Sequence, residues 1–341
     1  MEKLKLEEII IILPKSKIKA GDGKKEGKYP LYRSSNKIDT YYDEYIIDTE
    51  AIIVGTGGNP SIHYNIGKCA YTTQCLAITS KGTLKNKYIY YYLLSQLDRI
   101  QNMFRGMTIK QLDKKEFLKM DIPIIEVDIQ DKIIENLDII TNNIQSKKEQ
   151  VKKLEQLVKS QFVEMFGTIK ENKKKYPIKS LNEVFDLIKD GTHSTPVYIN
   201  DKKNGVKFLS AKDVTKGRID WDNTKYIPIE LHEKLVKRIK PQLNDILLAK
   251  NGTTGICAKV NKEEVFDIYV SLALLRPKLE NCSDYLVQAI NNEETKEQFK
   301  KSLKGVGVPN LHLGEIKKAK IIVPPLPIQN KFSEIVKQID K

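Results

Sequence analysis

The sequence predicts an α+β (mixed α/β) protein with two tandem domains, a long coiled-coil helix between them and a second, short helix at the C-terminal end. Two observations predict this architecture. Similar segments recur in the same order at an offset of about 200 residues, and a heptad pattern fills the interval between the two copies. The expected segments are domain 1 at 1–126, the spacer helix at 127–167, domain 2 at 168–326 and the second helix at 327–341.

The first domain is predicted from short apolar runs that precede loops. Residues 51–54 form such a run before the sequence GTGGNP, which predicts a strand that enters an irregular loop. Residues 75–79 predict a second buried strand, and residues 87–99 predict a helix despite their tyrosines. Residues 120–125 predict a strand that leads into the spacer helix.

The spacer helix is predicted from apolar positions that recur in steps of four and three through residues 128–167. The stripe is narrow, as in a coiled-coil seam that needs a partner helix, whereas an ordinary long surface helix is the alternative. Gly167 is a candidate C-cap, and about 38 residues give a rod about 55 Å long. The apolar members of the predicted seam are Ile133, Leu137, Ile140, Ile144, Val151, Leu154, Val158 and Met165.

The second domain is predicted because the same segments recur in order. Residues 178–184 repeat the pattern of residues 5–9, and residues 245–252 repeat that of residues 51–57. Later matches are at 271–275, 284–290 and 321–329, which follow the pattern of the second strand, the tyrosine-rich helix and residues 122–130. An ordered run of matches at one offset predicts a tandem duplication of one domain with its trailing helix.

Composition bounds the function. The formal net charge is +14 and the pI is about 9.3, a balance that fits a polyanionic partner such as nucleic acid. No apolar run approaches the roughly 18 residues that span a bilayer, so no membrane association is expected. The four cysteines form no CxxC pair, which favours free thiols in a reducing cytoplasm.

The sequence predicts no catalytic residue and no metal site. The Gly55-Thr56-Gly57 loop runs into a turn and a strand instead of the helix that a cofactor loop requires, so no bound cofactor is expected. The four histidines lack metal-ligand spacing, and no Pro-Asp dipeptide of the nuclease kind occurs. These observations favour a protein that reads a partner over one that cuts or modifies it.

Glycine-rich polar loops at matching places in the two copies are candidate DNA contacts, because glycines allow close backbone approach and short polar side chains reach base edges. Ordinary glycine-rich turns are the alternative. The candidates in domain 1 are Tyr32, Arg33, Ser34, Thr56, Gly57, Gly58, Asn59, Arg105, Met107, Thr108 and Lys110. Those in domain 2 are Thr192, His193, Ser194, Lys212, Lys250, Asn251, Gly252, Thr253, Thr254, Gly307, Pro309 and Asn310.

Five motifs, taken in their order along the chain, are the basis of a resemblance to a known family. They are FVEMFG at 162–167, GTH at 191–193, AKNGTTG at 249–255, GVGVPNL at 305–311 and IIVPPLPIQ at 321–329. The chain resembles the DNA specificity (S) subunits of type I restriction-modification systems, and the likeness covers essentially its whole length. The resemblance implies two target-recognition domains, each reading half of a bipartite site in double-stranded DNA, with the rod setting the distance between the halves.

The resemblance also implies partners. Two DNA adenine methyltransferase (M) subunits would bring S-adenosylmethionine, and restriction/translocase (R) subunits would join them, while the chain itself binds no cofactor. Self-association through the spacer helix is a further expectation. The alternatives are the specificity subunit of a related type II system that cuts on both sides of its site, and a coiled-coil interaction scaffold.

Overall fold

A computed structural model describes residues 2–108, 110–214, 217–252, 254–303 and 310–339. The chain divides into two compact units, Met1–Lys148 (unit 1) and Glu149–Lys341 (unit 2). Both mix helices with antiparallel sheets, so the predicted fold class is confirmed.

Unit 1 begins with a short strand and alternates strands with short helices before the long helix. Its elements are β1 (Lys3–Lys5), α1 (Leu6–Ile9), β2 (Ile10–Ile12), β3 (Tyr29–Tyr32), β4 (Tyr41–Tyr42), β5 (Ile47–Asp48), β6 (Ala51–Gly55), β7 (Ile62–Asn65), β8 (Lys68–Tyr71), β9 (Cys75–Ser80), α2 (Asn86–Ser95), α3 (Leu97–Gln101), β10 (Phe104–Arg105), β11 (Gln111–Leu112), α4 (Lys114–Leu118), β12 (Asp121–Pro123) and α5 (Val127–Phe166).

Unit 2 contains the C-terminal part of α5 and a second series of elements. These are β13 (Ile178–Ser180), α6 (Leu181–Val184), β14 (Phe185–Asp190), β15 (Gly205–Leu209), β16 (Lys225–Pro228), α7 (Ile229–Leu235), β17 (Ile246–Ala249), β18 (Cys257–Lys259), β19 (Phe266–Ile268), β20 (Leu272–Pro277), α8 (Ser283–Asn291), α9 (Glu293–Lys301), α10 (Leu313–Lys318), β21 (Lys320–Ile322) and α11 (Leu326–Ile339).

The two units share one sheet topology. Unit 1 has a four-stranded antiparallel sheet of order β2-β9-β6-β7, and unit 2 has the order β14-β20-β17-β18 at the corresponding strands. Each unit also has a parallel strand pair, β3 with β8 and β15 with β19. Strand β1 pairs with β12, as β13 pairs with β21. The duplication read from the sequence is therefore present in the strand order.

The predicted strands at 51–54 and 75–79 are β6 and β9, and the apolar residues of β6 are fully buried. The prediction of a single helix at 87–99 was wrong, because two helices occupy this segment. It is interrupted at Gln96, whose backbone (φ −104°, ψ 17°) leaves the helical region, so α2 and α3 are separate. Gly167 caps α5 as expected, with φ +77° and its N–H donating to the Val163 carbonyl at 2.7 Å.

The predicted seam is covered only near the two ends of α5. Ile133 and Leu137 are half-buried in unit 1, and Val158 is buried in unit 2. The middle members are exposed, from 41% at Leu154 to 54% at Val151. The contacts in unit 2 also use two phenylalanines outside the predicted seam, Phe162 and Phe166, whose rings lie 5.6 and 5.3 Å from that of Phe332 in α11.

A buried glutamine joins each trailing helix to its own unit. In unit 1 the Gln130 side chain accepts from the Lys85 N–H at 2.8 Å and donates to the Ile125 carbonyl at 2.9 Å. In unit 2 the Gln329 side chain accepts from the Cys282 N–H at 2.9 Å and donates to the Pro324 carbonyl at 2.8 Å. Each glutamine thus binds the residue before the first residue of α2 or α8, so the duplication extends to individual hydrogen bonds.

An ion pair beside each joint has opposite polarity in the two units. In unit 1, Lys87 of α2 contacts Asp138 of α5, with 2.7 Å between the ammonium nitrogen and the carboxylate oxygen. In unit 2 the acid is on the domain, where Asp284 of α8 lies 3.8 Å from Lys337 of α11. The charged contacts have therefore diverged around a conserved hydrogen-bonding scheme.

Candidate nucleic-acid interface

The glycine-rich loop after β6 is fixed against the loop after β3. Gly55 has no room for a side chain, because a Cβ there would lie 2.2 Å from the Ser61 hydroxyl oxygen and 2.6 Å from that of Ser34. The Gly57 N–H donates to the Ser34 hydroxyl at 3.1 Å, and that hydroxyl donates to the Gly57 carbonyl. Two of the predicted loops in unit 1 therefore meet at Ser34.

Two further segments brace the same loop. The Thr56 N–H donates to the Gln74 carbonyl at 2.8 Å, and the Thr56 carbonyl accepts from the Leu112 N–H at 2.9 Å. The Gly58 N–H donates to the Lys110 carbonyl at 2.8 Å. The structure thus brings together the loop after β3, the loop after β6, the turn before β9 and the segment around β11.

Exposure divides the unit 1 candidates into two groups. Tyr32, Thr56 and Gly57 are buried, and Arg33 and Ser34 are half-buried, so these residues shape the surface. The candidates that reach solvent are Gly58, Asn59, Arg105, Met107, Thr108 and Lys110. Arg105 lies 3.0 Å from a Glu116 carboxylate oxygen.

Tyr32 and His63 support the loop after β3 from below. The Tyr32 hydroxyl donates to the Asn65 side-chain oxygen at 3.2 Å, and burial raises the pKa of Tyr32 to about 12. The His63 ring lies 5.2 Å from the Tyr32 ring and its Nε2 is 2.6 Å from the Ser35 carbonyl oxygen. A carbonyl only accepts, so Nε2 carries the proton in this hydrogen bond.

His63 is expected to make unit 1 less stable in mild acid. Burial lowers the pKa of His63, so the unfolded chain takes up a proton below pH 6.5 that the folded unit resists. The stability of unit 1 should therefore fall as the pH drops from 6.5 toward the lowered pKa of His63. Thermal unfolding at pH 7.5 and 5.5, compared with His63→Gln, checks this. An equal pH dependence in the variant would contradict it.

In unit 2 the predicted loops meet around one buried carboxylate. Asp190, at the end of β14, has one oxygen 3.2 Å from the Lys250 ammonium and 3.0 Å from His193 Nε2. Its other oxygen accepts from Arg238 at 2.9 Å, and Arg238 also donates to the Gly191 carbonyl at 2.7 Å. Desolvation alone would raise the pKa of Asp190, but the hydrogen bonds from Lys250, Arg238 and His193 and the charge of Lys250 together lower it. The cluster ties the loop after β14 to the loop after β17.

The backbone of the loop after β17 repeats the arrangement in unit 1. Asn251 pairs with Asn310 in an isolated antiparallel bridge, as Gly57 pairs with Gln111. The Leu311 N–H donates to the Lys250 carbonyl at 2.8 Å, the counterpart of the Leu112 bond in unit 1. Both units therefore have the same cross-loop bridge at the edge of the candidate interface.

The expected contact residues of unit 2 differ in access. Lys250 is 6% exposed and its ammonium is bound to Asp190, so it is not presented to solvent as a free cation. The candidates that are exposed are His193, Ser194, Lys212 and Gly252, and those that are half-buried are Thr192, Asn251, Thr254 and Asn310. The candidates Thr253, Gly307 and Pro309 lie outside the described residues.

Sequence reasoning missed three residues at these surfaces. Arg238 enters the Asp190 cluster from the segment after α7, and no motif marks it. The side chains of Gln74 and Gln111 both lie within 4 Å of the position that a Cβ on Gly57 would occupy. The weak signal for the two glutamines was their place in the sequence, Gln74 directly before β9 and Gln111 at the start of β11.

Among the residues that the structure describes, no group of three or more His, Cys, Asp or Glu side chains could hold a metal ion. The four cysteines are free thiols, and burial raises the pKa of Cys69 to about 12. No described helix combines the length and apolar character needed to cross a bilayer.

Comparison with known proteins gives one family. The model of the type I restriction modification DNA specificity domain matches residues 1–156 and 173–341. Similar curated proteins include the type I restriction enzyme MjaVIII specificity subunit of Methanocaldococcus jannaschii, 24% identical, with 94% of this chain and 81% of that protein covered. The EcoBI specificity subunit of Escherichia coli is 21% identical, with 89% and 69% covered. The fold is similar to that of the type I S subunit from M. genitalium, with TM-score 0.65, 17% identity and 99% and 89% coverage.

Proposed function

Since the chain belongs to the type I restriction modification DNA specificity family, we propose that its two units read the two halves of a bipartite DNA site. The chain is a DNA-sequence specificity subunit, and catalysis lies in the methyltransferase and restriction subunits of such systems. The observation that carries the proposal is the match of the family model to both copies of the duplicated domain.

The geometry of each unit supports reading by loops. In unit 1, three other segments converge on the Gly57 loop, and exposed polar residues surround it. In unit 2, the loop after β17 carries Asn251, whose side-chain oxygen is buried and has no hydrogen-bond partner in the described part of the chain. Because the oxygen is buried in the free chain, the loop has to open on binding before this acceptor can meet the amino group of adenine or cytosine in the major groove.

The long helix supplies the spacing in this proposal. Its 40 residues correspond to a length of about 60 Å, and no proline lies within it. A stiff spacer converts protein length into a fixed number of unread base pairs between the two half-sites. Tethering two modest readers in this way raises the effective concentration of the second binding event.

The partners proposed for this chain are double-stranded DNA, methyltransferase subunits that carry S-adenosylmethionine, and restriction subunits, which implies a cytoplasmic protein. The exposed middle of the seam, including Ile144 and Val151, offers an apolar stripe for such subunits or for a second copy. The family match favours a type I system over the related type II system.

The experiment that tests the function is co-expression with the cognate methyltransferase, followed by mapping of methylated adenines. A split motif is expected, and exchange of residues 1–125 for those of another specificity subunit should change one half only. Methylation without a split motif, or a motif unchanged by the exchange, would overturn the proposal.

Asn251→Ala is expected to relax one half of the motif. Loss of a base contact costs about 1–3 kcal/mol at the position it reads. The measurement is the methylation motif together with the dissociation constant for the mapped site, with Asn182→Ala, an exposed asparagine of unit 2, as the control. If the motif and the affinity are both unchanged, Asn251 lies outside the interface. Direct contact between Lys250 and DNA stays a prediction. The variant Lys250→Ala would also remove the ion pair between Lys250 and Asp190, so a change in DNA binding would not report on a DNA contact alone.

A further inference from the structure

Unit 1 carries an extended lysine-rich segment between β2 and β3 that the motif analysis did not use. Lys15, Lys17 and Lys19, here called the lysine rail, alternate with Ser16 and Ile18. The three lysines are exposed, whereas the two residues between them are half-buried. Alternation of this kind is expected of an extended chain, in which successive side chains point to opposite sides. The exposure pattern therefore indicates that the three lysine side chains lie on the solvent side of the segment.

The backbone of the rail is fixed by hydrogen bonds. The Tyr71 hydroxyl donates to the Pro14 carbonyl at one end of the segment. The Ile18 carbonyl accepts from the Thr73 N–H at 2.8 Å, and the Ile18 N–H donates to the Ser16 hydroxyl at 3.0 Å. The lysines thus extend from a segment anchored to the rest of unit 1.

The anchor lies beside the candidate interface. Thr73 belongs to the turn before β9, and the next residue in that turn, Gln74, accepts from Thr56 of the glycine-rich loop at 2.8 Å. Two backbone hydrogen bonds, made by adjacent residues of the turn, therefore connect the rail to the loop. This continuity puts the backbone of Ile18, which lies between Lys17 and Lys19, beside the surface where four segments meet.

The charges of the rail are not neutralised by the part of unit 1 that the structure describes. Other lysines of this unit have acidic partners, among them Lys24 with Asp43 and Lys87 with Asp138. Within the described residues, the ammonium nitrogens of Lys15, Lys17 and Lys19 have no carboxylate oxygen within 4.0 Å. The Lys19 backbone N–H donates to an Asp22 carboxylate oxygen at 2.7 Å, a contact that does not involve the Lys19 ammonium group. Three aligned positive charges repel one another, and a polyanion relieves that repulsion.

We propose that Lys15, Lys17 and Lys19 bind phosphates of the DNA backbone beside the half-site that unit 1 reads, an inference that rests on the proposed function. Lysine acts there as a point charge that fixes position without reading sequence. Each phosphate neutralised by a protein cation releases counterions and contributes about 0.9 to the slope of log K against log salt. Three contacts correspond to a slope of about 2.7.

The experiment uses the full chain and a fluorescein-labelled DNA duplex of mixed sequence. Binding is measured by fluorescence anisotropy over about 50 to 200 mM KCl, the range in which counterion release is readily resolved. The triple variant Lys15→Gln, Lys17→Gln, Lys19→Gln is expected to bind more weakly at low salt, with its slope reduced by about 2–3. All three side chains are exposed, so circular dichroism should match that of the unaltered protein.

A matched control removes the same charge elsewhere. Lys170, Lys173 and Lys174 are exposed in the segment after α5, and their replacement by glutamine should leave the slope nearly unchanged. If both triple variants reduced the slope of log K against log salt equally, the effect would be one of net charge alone, and the proposed role of the lysine rail would be wrong. The proposal would also be wrong if the unaltered chain binds DNA and the rail variant has the same slope as that chain. Absence of salt-dependent binding by the unaltered chain would instead reject the proposed function itself.

Discussion

Replacing Phe166 with alanine is expected to lower the free energy of unfolding of unit 2 by about 3–5 kcal/mol. Phe166 is fully buried at the C-terminal end of α5. Its ring lies 4.9 Å from that of Tyr285 and 5.3 Å from that of Phe332, so it joins α5 to both α8 and α11. Truncation leaves a cavity where three elements meet, and edge-to-face ring contacts are lost as well.

Urea unfolding followed by tryptophan fluorescence measures this effect. The chain has one tryptophan, and Trp221 is buried in unit 2 with its indole N–H bound to Asn261 at 2.9 Å. The signal therefore reports on the unit that the substitution affects. Val163→Ala, on an exposed position of the same helix, is the control and should cost less than about 0.5 kcal/mol. Similar losses in the two variants would contradict the packing described for Phe166.

Asp190→Ala is expected to cost unit 2 about 3–5 kcal/mol, because it leaves the Lys250 ammonium buried without its carboxylate. Both side chains are less than a tenth exposed. The change should also blur the half of the DNA motif read by unit 2, since Asp190 holds Arg238 and His193 beside the loop of Lys250. Urea unfolding followed at Trp221 and the methylation motif are the two measurements.

The double variant Asp190→Ala, Lys250→Met separates charge from shape. Removing the buried ammonium should recover much of the lost stability while the motif stays blurred, because the cation cluster is still dismantled. Asp186→Asn, an exposed acid on the same strand, is the control. If the double variant is no more stable than Asp190→Ala, the loss has another origin than the buried charge.

The elements that sequence predicted well are those with a local pattern. The strand β6 is a continuous apolar run, and α5 has a heptad stripe with no interruption before Gly167. Both elements could therefore be predicted from residues that are close together in the sequence. The repeat was equally visible, because duplication preserves order. The break between α2 and α3 was missed, since residues on both sides of Gln96 are acceptable in a helix.

The candidate site depends on contacts between distant residues, and these were beyond sequence reasoning. Lys250 was predicted as a DNA contact from its place in a glycine-rich loop, yet its ammonium binds Asp190, which is 60 residues away in the chain. Arg238 and Gln74 carry no motif, and only the fold brings them to the loops. Glycine-rich loops could be located from sequence, whereas the side chains that border them could not.

The shared contacts of Gln130 and Gln329 are all to main-chain atoms, and this has a consequence for how such proteins change over generations. A main-chain amide or carbonyl is present whatever side chains a domain carries. One copy of a duplicated gene can therefore accumulate substitutions, or be replaced by a homologous segment through recombination, while its attachment to the helix persists. The neighbouring pairs, Lys87–Asp138 and Asp284–Lys337, have reversed polarity, so these side-chain contacts differ between the two copies where the main-chain contacts do not. Exchange of one recognition domain could thus change the DNA target while the contacts between that domain and its trailing helix stay the same.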